Sequence, residues 1–136
     1  MTSPIFKMAA NFLLMITLIF SIWVLFRGHN SPGGGFIAGL ISACGFALYL
    51  LAYGASALKK MIRINLFSLL IIGFFCVLIS GIASVLQHNI FLTAVWIKLP
   101  FSSILLGSPI LFDVGVYLAI LSSVLMIMLS LEESYE

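Results

Sequence analysis

Asp113 is the residue of this sequence with the clearest capacity for chemistry, because every other acidic residue lies in the C-terminal tail. It stands at the start of the apolar run over 109–131. If that run crosses a membrane, a carboxylate there is energetically costly and is a candidate member of a proton or cation relay. The alternative is structural: an acid near a helix N-terminus is favoured by the helix dipole and would pair with Lys98 or Arg27.

Two histidines and an arginine lie in polar links between apolar runs. Histidine is the side chain type that can change charge near neutral pH, so His29 could admit protons, or it could simply hydrogen-bond the backbone of its loop. His88 follows the third apolar run and permits the same two interpretations. Arg27 ends the first run. It either snorkels to the membrane interface or forms an ion pair at a contact with another protein chain.

The glycine-rich segment Pro32-Gly33-Gly34-Gly35 invites comparison with a phosphate-binding loop. Such a loop needs GxxxxGK[ST], or GxGxxG after a strand, and the sequence offers neither. Consecutive glycines also allow positive φ and close approach of another backbone. We therefore interpret the segment as a tight turn that brings the start of a helix against a second helix, and we do not expect nucleotide binding.

Other kinds of site find no support in the sequence. It contains no Ser/His/Asp set, no carboxylate pair and no Cys/His cluster with metal-ligand spacing. Cys44 and Cys76 each lie inside an apolar run, as free buried thiols commonly do. We expect no catalytic residues, no metal, no cofactor and no enzymatic activity.

The elements that would position these residues are predicted to be membrane-spanning helices. The chain is 63% hydrophobic and 7% charged, against about 25% charged residues in soluble domains. A helix needs roughly 20 apolar residues to cross a bilayer, and no alternation of period two suggests a barrel. We predict an all-α integral membrane protein, with 1–136 forming a single membrane domain and a bundle of four transmembrane helices near 8–26, 36–58, 64–86 and 109–131.

The first apolar run is expected to stay in the protein as a span. It is longer than the 7–15 apolar residues of a signal peptide and lacks a small-residue cleavage site. The net charge of +2 is small and dispersed, so nucleic acid is not an expected partner.

The distribution of basic residues predicts the orientation. Four spans place both termini and the 59–63 loop on one side, together with Lys7, Lys59, Lys60 and Arg63, whereas Arg27 and Lys98 fall on the other side. Short cytoplasmic loops are enriched in Lys and Arg. Both termini are therefore predicted to be cytoplasmic.

The segment over 87–108 permits two interpretations. It is largely apolar but contains Lys98 and Pro100, and a fifth span would move the tail to the outside. We favour an interfacial segment, with Trp96 and Lys98 near the headgroups.

Small residues recur at four-residue spacing along three of the predicted helices. In the second span they are Gly35, Gly39, Ala43 and Ala47, in the fourth Gly115, Ala119 and Ser123, and in the third the pairs Gly73 with Gly81 and Ser80 with Ser84. Such faces let helices approach closely in lipid. Four helices need not use them all, which makes partner subunits plausible.

Two motifs resemble one known family. RGHNSPGGGF at 27–36 is similar to the G-H-x-x-P-G-G-G-F loop of the MnhB/MrpB-like subunits of multi-subunit Mrp/Mnh-type sodium/proton antiporters. FDVGV at 112–116 is similar to that family's F-D-x-G-V at the start of the last helix. The resemblance covers nearly the whole chain. It implies a small plasma-membrane subunit with large complex I-like subunits and other small subunits as partners, and with Na⁺ and H⁺ as the transported ions.

Three functional hypotheses follow. The first is a subunit of a secondary transporter, which supports assembly and contributes to the ion pathway without transporting alone. The second is a non-transporting scaffold of a related complex, such as a membrane-bound hydrogenase, with Asp113 and Arg27 as a structural ion pair. The third is a small self-assembling drug/proton transporter, which we set aside because spans one to three contain no acidic residue.

Overall fold

The computed structural model describes residues 3–27, 34–86, 90–92, 94, 96–98 and 105–135. In these ranges the chain forms five helices and two short strands. The helices are α1 Pro4–Arg27, α2 Gly34–Tyr53, α3 Ala55–Met61, α4 Leu66–Leu86 and α5 Ser108–Tyr135, and the strands are β1 Trp96–Lys98 and β2 Leu105–Gly107.

Four of these helices, α1, α2, α4 and α5, are long and apolar enough to cross a membrane. With a rise of about 1.5 Å per residue, a helix of 20 residues spans about 30 Å, the thickness of the hydrocarbon core. The predicted helical bundle of four spans is confirmed. Many large apolar side chains on these helices are exposed, as lipid-facing surfaces require.

The predicted span over 36–58 is divided by Gly54. This glycine has a φ of 83° and ends α2 at Tyr53. Its N–H donates to the carbonyl of Leu50 at 2.7 Å, so the last turn is closed before the break. With a ψ of 169°, Gly54 adopts a conformation that glycine reaches far more readily than other residues, and the helix ends there. The following residues form the short helix α3, which carries Lys59 and Lys60.

The four long helices form a row in the order α4, α5, α2, α1, in which α5 and α2 are the inner helices. Helix α5 packs along α4 on one side and along α2 on the other, while α1 packs on the far side of α2 and touches α5 only slightly. The apolar core joins α2, α3 and α5, and its largest fully buried side chains are Leu58 and Leu125.

The small residues lie at these contacts within the chain. A Cβ atom on Gly39 would lie 3.1 Å from the carbonyl oxygen of Tyr117 in α5. A Cβ on Gly73 would lie 2.7 Å from the carbonyl oxygen of Gly115, and a Cβ on Gly115 would lie 2.7 Å from that of Gly73. These faces are therefore occupied inside the bundle. Gly45, which was not among the predicted packing residues, lies against the side chain of Thr17 of α1.

Contacts between helix ends bring the N-terminus, α3 and the C-terminus together. The Tyr53 hydroxyl donates to the carbonyl of Lys7, and the amide of Asn11 donates to that hydroxyl at 2.8 Å. Lys59 forms an ion pair with Glu133 near the end of α5. We call this region the basic end and define it by Lys7, Lys59, Lys60 and Arg63.

The described residues of the 87–108 segment are not helical up to the start of α5. β1 and β2 pair antiparallel, with Trp96 opposite Gly107 and Lys98 opposite Leu105. These described residues therefore form no fifth helical span, and the strand pair was not predicted. Phe91 packs against Gly81, and the Ser80 hydroxyl donates to the carbonyl of Ser108 at 2.8 Å. Both contacts hold the segment to the last turns of α4.

Candidate functional site

Asp113 occupies a buried position near the start of α5. The helix begins at Ser108, followed by Pro109, whose fixed φ suits the first turn. Asp113 is then more than one turn inside the helix, and only 7% of its surface is exposed. The helix dipole favours a carboxylate mainly within the first turn, so it contributes little at this depth. The structure thus places an ionisable group inside the bundle, where it interacts with neighbouring groups.

The backbone of Asp113 is in direct contact with Gly35. A Cβ atom on Gly35 would overlap the Asp113 carbonyl oxygen and would lie 2.9 Å from the Asp113 Cα. Gly35 is the second residue of α2 and belongs to the glycine-rich motif. The two sequence motifs, which are 78 residues apart at these positions (113 − 35), therefore meet in space. We call this region, defined by Gly35 and Asp113, the motif end.

The same turn of α5 is held from the opposite side by α4. Gly115 faces α4, where Cys76 and Val77 lie 2.9 Å from a Cβ placed on it. Residues two apart on a helix point to nearly opposite sides. Gly35 therefore contacts α5 on the Asp113 side, whereas Gly73 contacts it on the Gly115 side. The start of α5 is fixed between two helix backbones.

Buried hydroxyl groups add polar atoms to the apolar interior. Ser42 and Ser122 are both fully buried, and each donates to carbonyls three and four residues earlier in its own helix. These bonds satisfy the hydroxyl hydrogens, while the oxygens keep lone pairs that can accept a hydrogen bond. Ser21, Ser42 and Ser122 were not among the predicted site residues, and the available signal was a hydroxyl within an apolar run.

No contact between described residues brings the remaining predicted site residues to the motif end. The Arg27 guanidinium lies over the ring of Trp23, 4.8 Å from its centroid, on the same helix. Lys98 is part of β1, and Gly34 is the first residue of α2. His29, Pro32 and Gly33 fall outside the described residues. Pairing of Arg27, His29 or Lys98 with Asp113 stays a prediction.

The chemical capacity of the site is that of a single carboxylate. Within the part of the chain that the structure describes, no three His, Cys, Asp or Glu side chains form a group that could hold a metal ion. One buried carboxylate can take up and release one proton or balance one monovalent cation. Exchange of one ion for another against a gradient needs further groups.

Comparison with known proteins gives a consistent result along the chain. The family model described as "domain related to MnhB subunit of Na+/H+ antiporter" matches residues 5–126. The B subunit of a Na(+)/H(+) antiporter of Bacillus subtilis is 30% identical over 132 residues, covering 95% of this chain and 92% of that protein. The corresponding B subunit of Alkalihalophilus pseudofirmus is 31% identical over 87% of this chain and 84% of its own length.

Two further matches agree. A protein of Staphylococcus aureus named putative antiporter subunit mnhB2 is 31% identical over 93% of this chain and 92% of its own length. In the solved structure of the Mrp complex from Dietzia sp. DQ12-45-1b, one chain matches with a TM-score of 0.76 and 30% identity. The match covers 95% of this chain but 14% of the solved chain, so the shared unit is a small part of that longer chain.

Proposed function

The chain belongs to the family of domains related to the MnhB subunit of Na⁺/H⁺ antiporters, and from this membership we propose that it is a membrane subunit of a multi-subunit antiporter that exchanges Na⁺ or another monovalent cation for protons. The observation that carries the proposal is the family match over 5–126, supported by relatives named as antiporter B subunits that align over most of their own length. Four helices of spanning length and composition make it a multi-pass membrane protein.

Partners are part of the proposed function, because this chain alone carries too few ionisable groups for exchange. The first three spans contain no acidic residue, and Asp113 is the only one before the tail. The relatives are named as subunits, and the solved match lies in a complex. We therefore propose other antiporter subunits, both large complex I-like ones and small ones, as partners.

The test is removal of this chain from an otherwise intact set of subunits. Everted membrane vesicles with the complete complex should show Na⁺-dependent movement of protons, read with a fluorescent pH probe. Vesicles lacking this chain should lose that signal and regain it when the chain is supplied again. Undiminished exchange without the chain would contradict the proposal. Proteins that co-purify in mild detergent then identify the complex, and a hydrogenase module among them would favour the scaffold hypothesis.

Asp113 is proposed to contribute to the ion pathway. Its support is position: a buried carboxylate at the motif end, on a helix start fixed between α2 and α4. The competing hypothesis makes it a structural ion-pair member. Asp113→Asn separates the two, because it keeps the size of the side chain and removes its charge. Loss of exchange in a complex recovered at normal yield supports a pathway role, whereas lowered yield with unchanged activity per complex supports the structural role.

We further propose that the basic end faces the cytoplasm. Support comes from the gathering of Lys7, Lys59, Lys60 and Arg63 at one end of the bundle and from the bias of cytoplasmic loops toward Lys and Arg. A cysteine introduced at Ser134, in a background where Cys44 and Cys76 are replaced by alanine, reports the side. It should react with a membrane-impermeant maleimide in everted vesicles and not in intact cells. The reverse pattern would contradict the orientation.

A further inference from the structure

A groove opens at the basic end between the start of α4 and the last turns of α5. Its volume is about 280 Å³, slightly below the roughly 300–1,000 Å³ of pockets that hold whole small ligands. The floor is apolar and the rim includes one cation and one amide. The lining residues that matter here are Ile62, Leu66, Met126 and Leu129 for the floor and Lys59 and Asn65 for the rim.

The groove lies beside the first turn of the spanning helix α4, and the end of a span is where a bilayer changes from hydrocarbon to headgroups. Its lining runs from Lys59 at the end of α3 to Phe67 in the first turn of the spanning helix α4. At the lip, Ile64 and Phe67 are 62% and 57% exposed, so large apolar surface continues outward from the floor. An occupant must therefore be apolar on one side and polar on the other.

The rim carries positive charge. Lys60 and Arg63 are exposed and adjoin the lining residues Lys59, Ile62 and Ile64 in the chain. Lys59 is partly neutralised by its ion pair with Glu133, in which the two side chains are 54% and 45% exposed.

Two further charges near the rim come from α4 and α5. The N-terminal end of α4 adds the positive partial charge of a helix start, where Asn65 caps by accepting from the N–H of Phe67 at 3.0 Å. The second charge is the negative carboxylate of Glu132, which precedes Glu133 on α5 and lies about 100° away from it around the helix axis.

We propose that this groove binds an anionic phospholipid. The phosphate would lie at the rim near Lys60 and Arg63, and the first methylenes of one acyl chain would follow the floor between α4 and α5. Basic pockets between transmembrane helices bind anionic headgroups in this way. The volume suits the upper part of one chain, not a protein helix. The inference does not depend on whether Asp113 conducts ions.

The test uses the assembled complex in mild detergent and phosphatidylglycerol that carries a photoreactive group on an acyl chain close to the glycerol. Peptide mapping after illumination should find the label in 62–67 and 126–129. Unlabelled phosphatidylglycerol should suppress this labelling, and phosphatidylcholine should not. Equal competition by both lipids, or absence of label from these peptides, would overturn the proposal. Label would also be absent if another chain of the complex covered the groove, and that result counts against the proposal as well.

Variants of the rim make the test quantitative. The double substitution Lys60→Gln, Arg63→Gln removes two exposed charges and should weaken labelling on the order of thirtyfold, since each basic residue near a membrane surface contributes about 1 kcal/mol. Lys7→Gln removes one positive charge at the basic end, where Lys7 lies over the Tyr53 ring and is not one of the residues that line the groove. It should change the labelling of 62–67 by less than about twofold, because Lys7 does not adjoin the lining in the chain and salt screens a more remote exposed charge.

A third variant addresses the floor without changing charge. Met126→Trp should fill the space and reduce labelling even when the photoreactive phosphatidylglycerol is in excess. Unchanged labelling in both the charge variant and Met126→Trp would overturn the assignment. Because labelling needs no ion gradient, failure of this proposal is distinguishable from failure of the proposed antiport.

Discussion

The motif end and the basic end of the bundle are held by different kinds of contact. At the motif end, α2 and α5 approach so closely at Gly35 and Asp113 that no side chain separates their backbones. At the basic end, side chains bridge larger gaps: the Tyr53 hydroxyl joins α2 to α1, and Lys59 reaches Glu133 on α5. A backbone contact has no flexible part that can yield, whereas a side chain can change its rotamer.

Because of this difference, the motif end holds its residues in fixed positions, whereas the basic end tolerates small changes of structure. The motif end contains the buried carboxylate, so rigid placement there fixes the depth and direction of Asp113. The basic end contains exposed charges that are screened by water and salt. Substitutions at the motif end should therefore be more damaging than substitutions of similar size at the basic end.

The largest effect is expected from Gly35→Ala. A methyl group there would overlap the carbonyl oxygen of Asp113, and the obstacle is backbone, so α2 and α5 must move apart. Overpacking of this kind costs typically about 1–3 kcal/mol. We expect the variant complex to dissociate at a lower temperature than the unmodified complex. We also expect it to lose ion exchange at temperatures at which it is still assembled. Heating in mild detergent followed by size-exclusion chromatography measures the first effect, and the vesicle assay measures the second.

The matched control is Cys44→Ala in the same helix. Cys44 is exposed, so the expectation of a buried thiol there was wrong, and its replacement by a small residue leaves the α2–α5 contact unchanged. Equal behaviour of Gly35→Ala and the control would show that the close backbone approach is not required at the motif end.

The contact between the two motifs is also the feature that sequence reasoning could not supply. Hydropathy predicted the four spans, because about 20 apolar residues suffice to identify each one. Four-residue spacing predicted that Gly35 and Gly39 share a face, but periodicity does not identify the helix that packs on it. The meeting of Gly35 with Asp113 depends on the order of helices in the row.

The helix end at Gly54 and the pairing of β1 with β2 were also not predicted from the sequence, for different reasons. Gly54 carried a recognisable end signal, yet the apolar residues on both sides of it concealed the break between α2 and α3. The β1–β2 pair joins Trp96 with Gly107 at one end and Lys98 with Leu105 at the other. Each strand has three residues, too few for alternation to be visible.

A smaller effect is expected from Gly54→Ala near the basic end. No atom lies within 4 Å of a Cβ placed on Gly54, so the substitution causes no clash. Its cost comes from the positive φ of 83°, which a residue with a Cβ adopts at roughly 1–2 kcal/mol. We expect a moderate fall in the temperature at which the complex dissociates. Below that temperature the complex should retain ion exchange. A fall as large as that of Gly35→Ala would contradict the proposed difference between the two ends.

Tyr53→Phe should have a still smaller effect. It removes the hydroxyl that accepts from Asn11 at 2.8 Å and donates to the carbonyl of Lys7 at 3.2 Å, but it keeps the ring stacked on Tyr49. Each hydrogen bond contributes about 0.5–1.5 kcal/mol net, and water at this exposed site can replace part of it. The expected result is a slight loss of heat stability. Tyr49→Phe is the control, because it makes the same chemical change on the neighbouring ring.

The smallest effect is expected from Glu133→Gln, which removes the ion pair with Lys59. Both side chains are about half exposed, 54% and 45%, and exposed pairs contribute about 0.2–1 kcal/mol at most. Salt screens such a pair, so any difference between the variant and the unmodified complex should disappear as ionic strength rises from about 0.01 to 1 M. Heat stability measured across this range tests the prediction. A large loss of heat stability that persists at high salt would mean that Glu133 is a rigid part of the structure. The basic end would then tolerate as little change as the motif end.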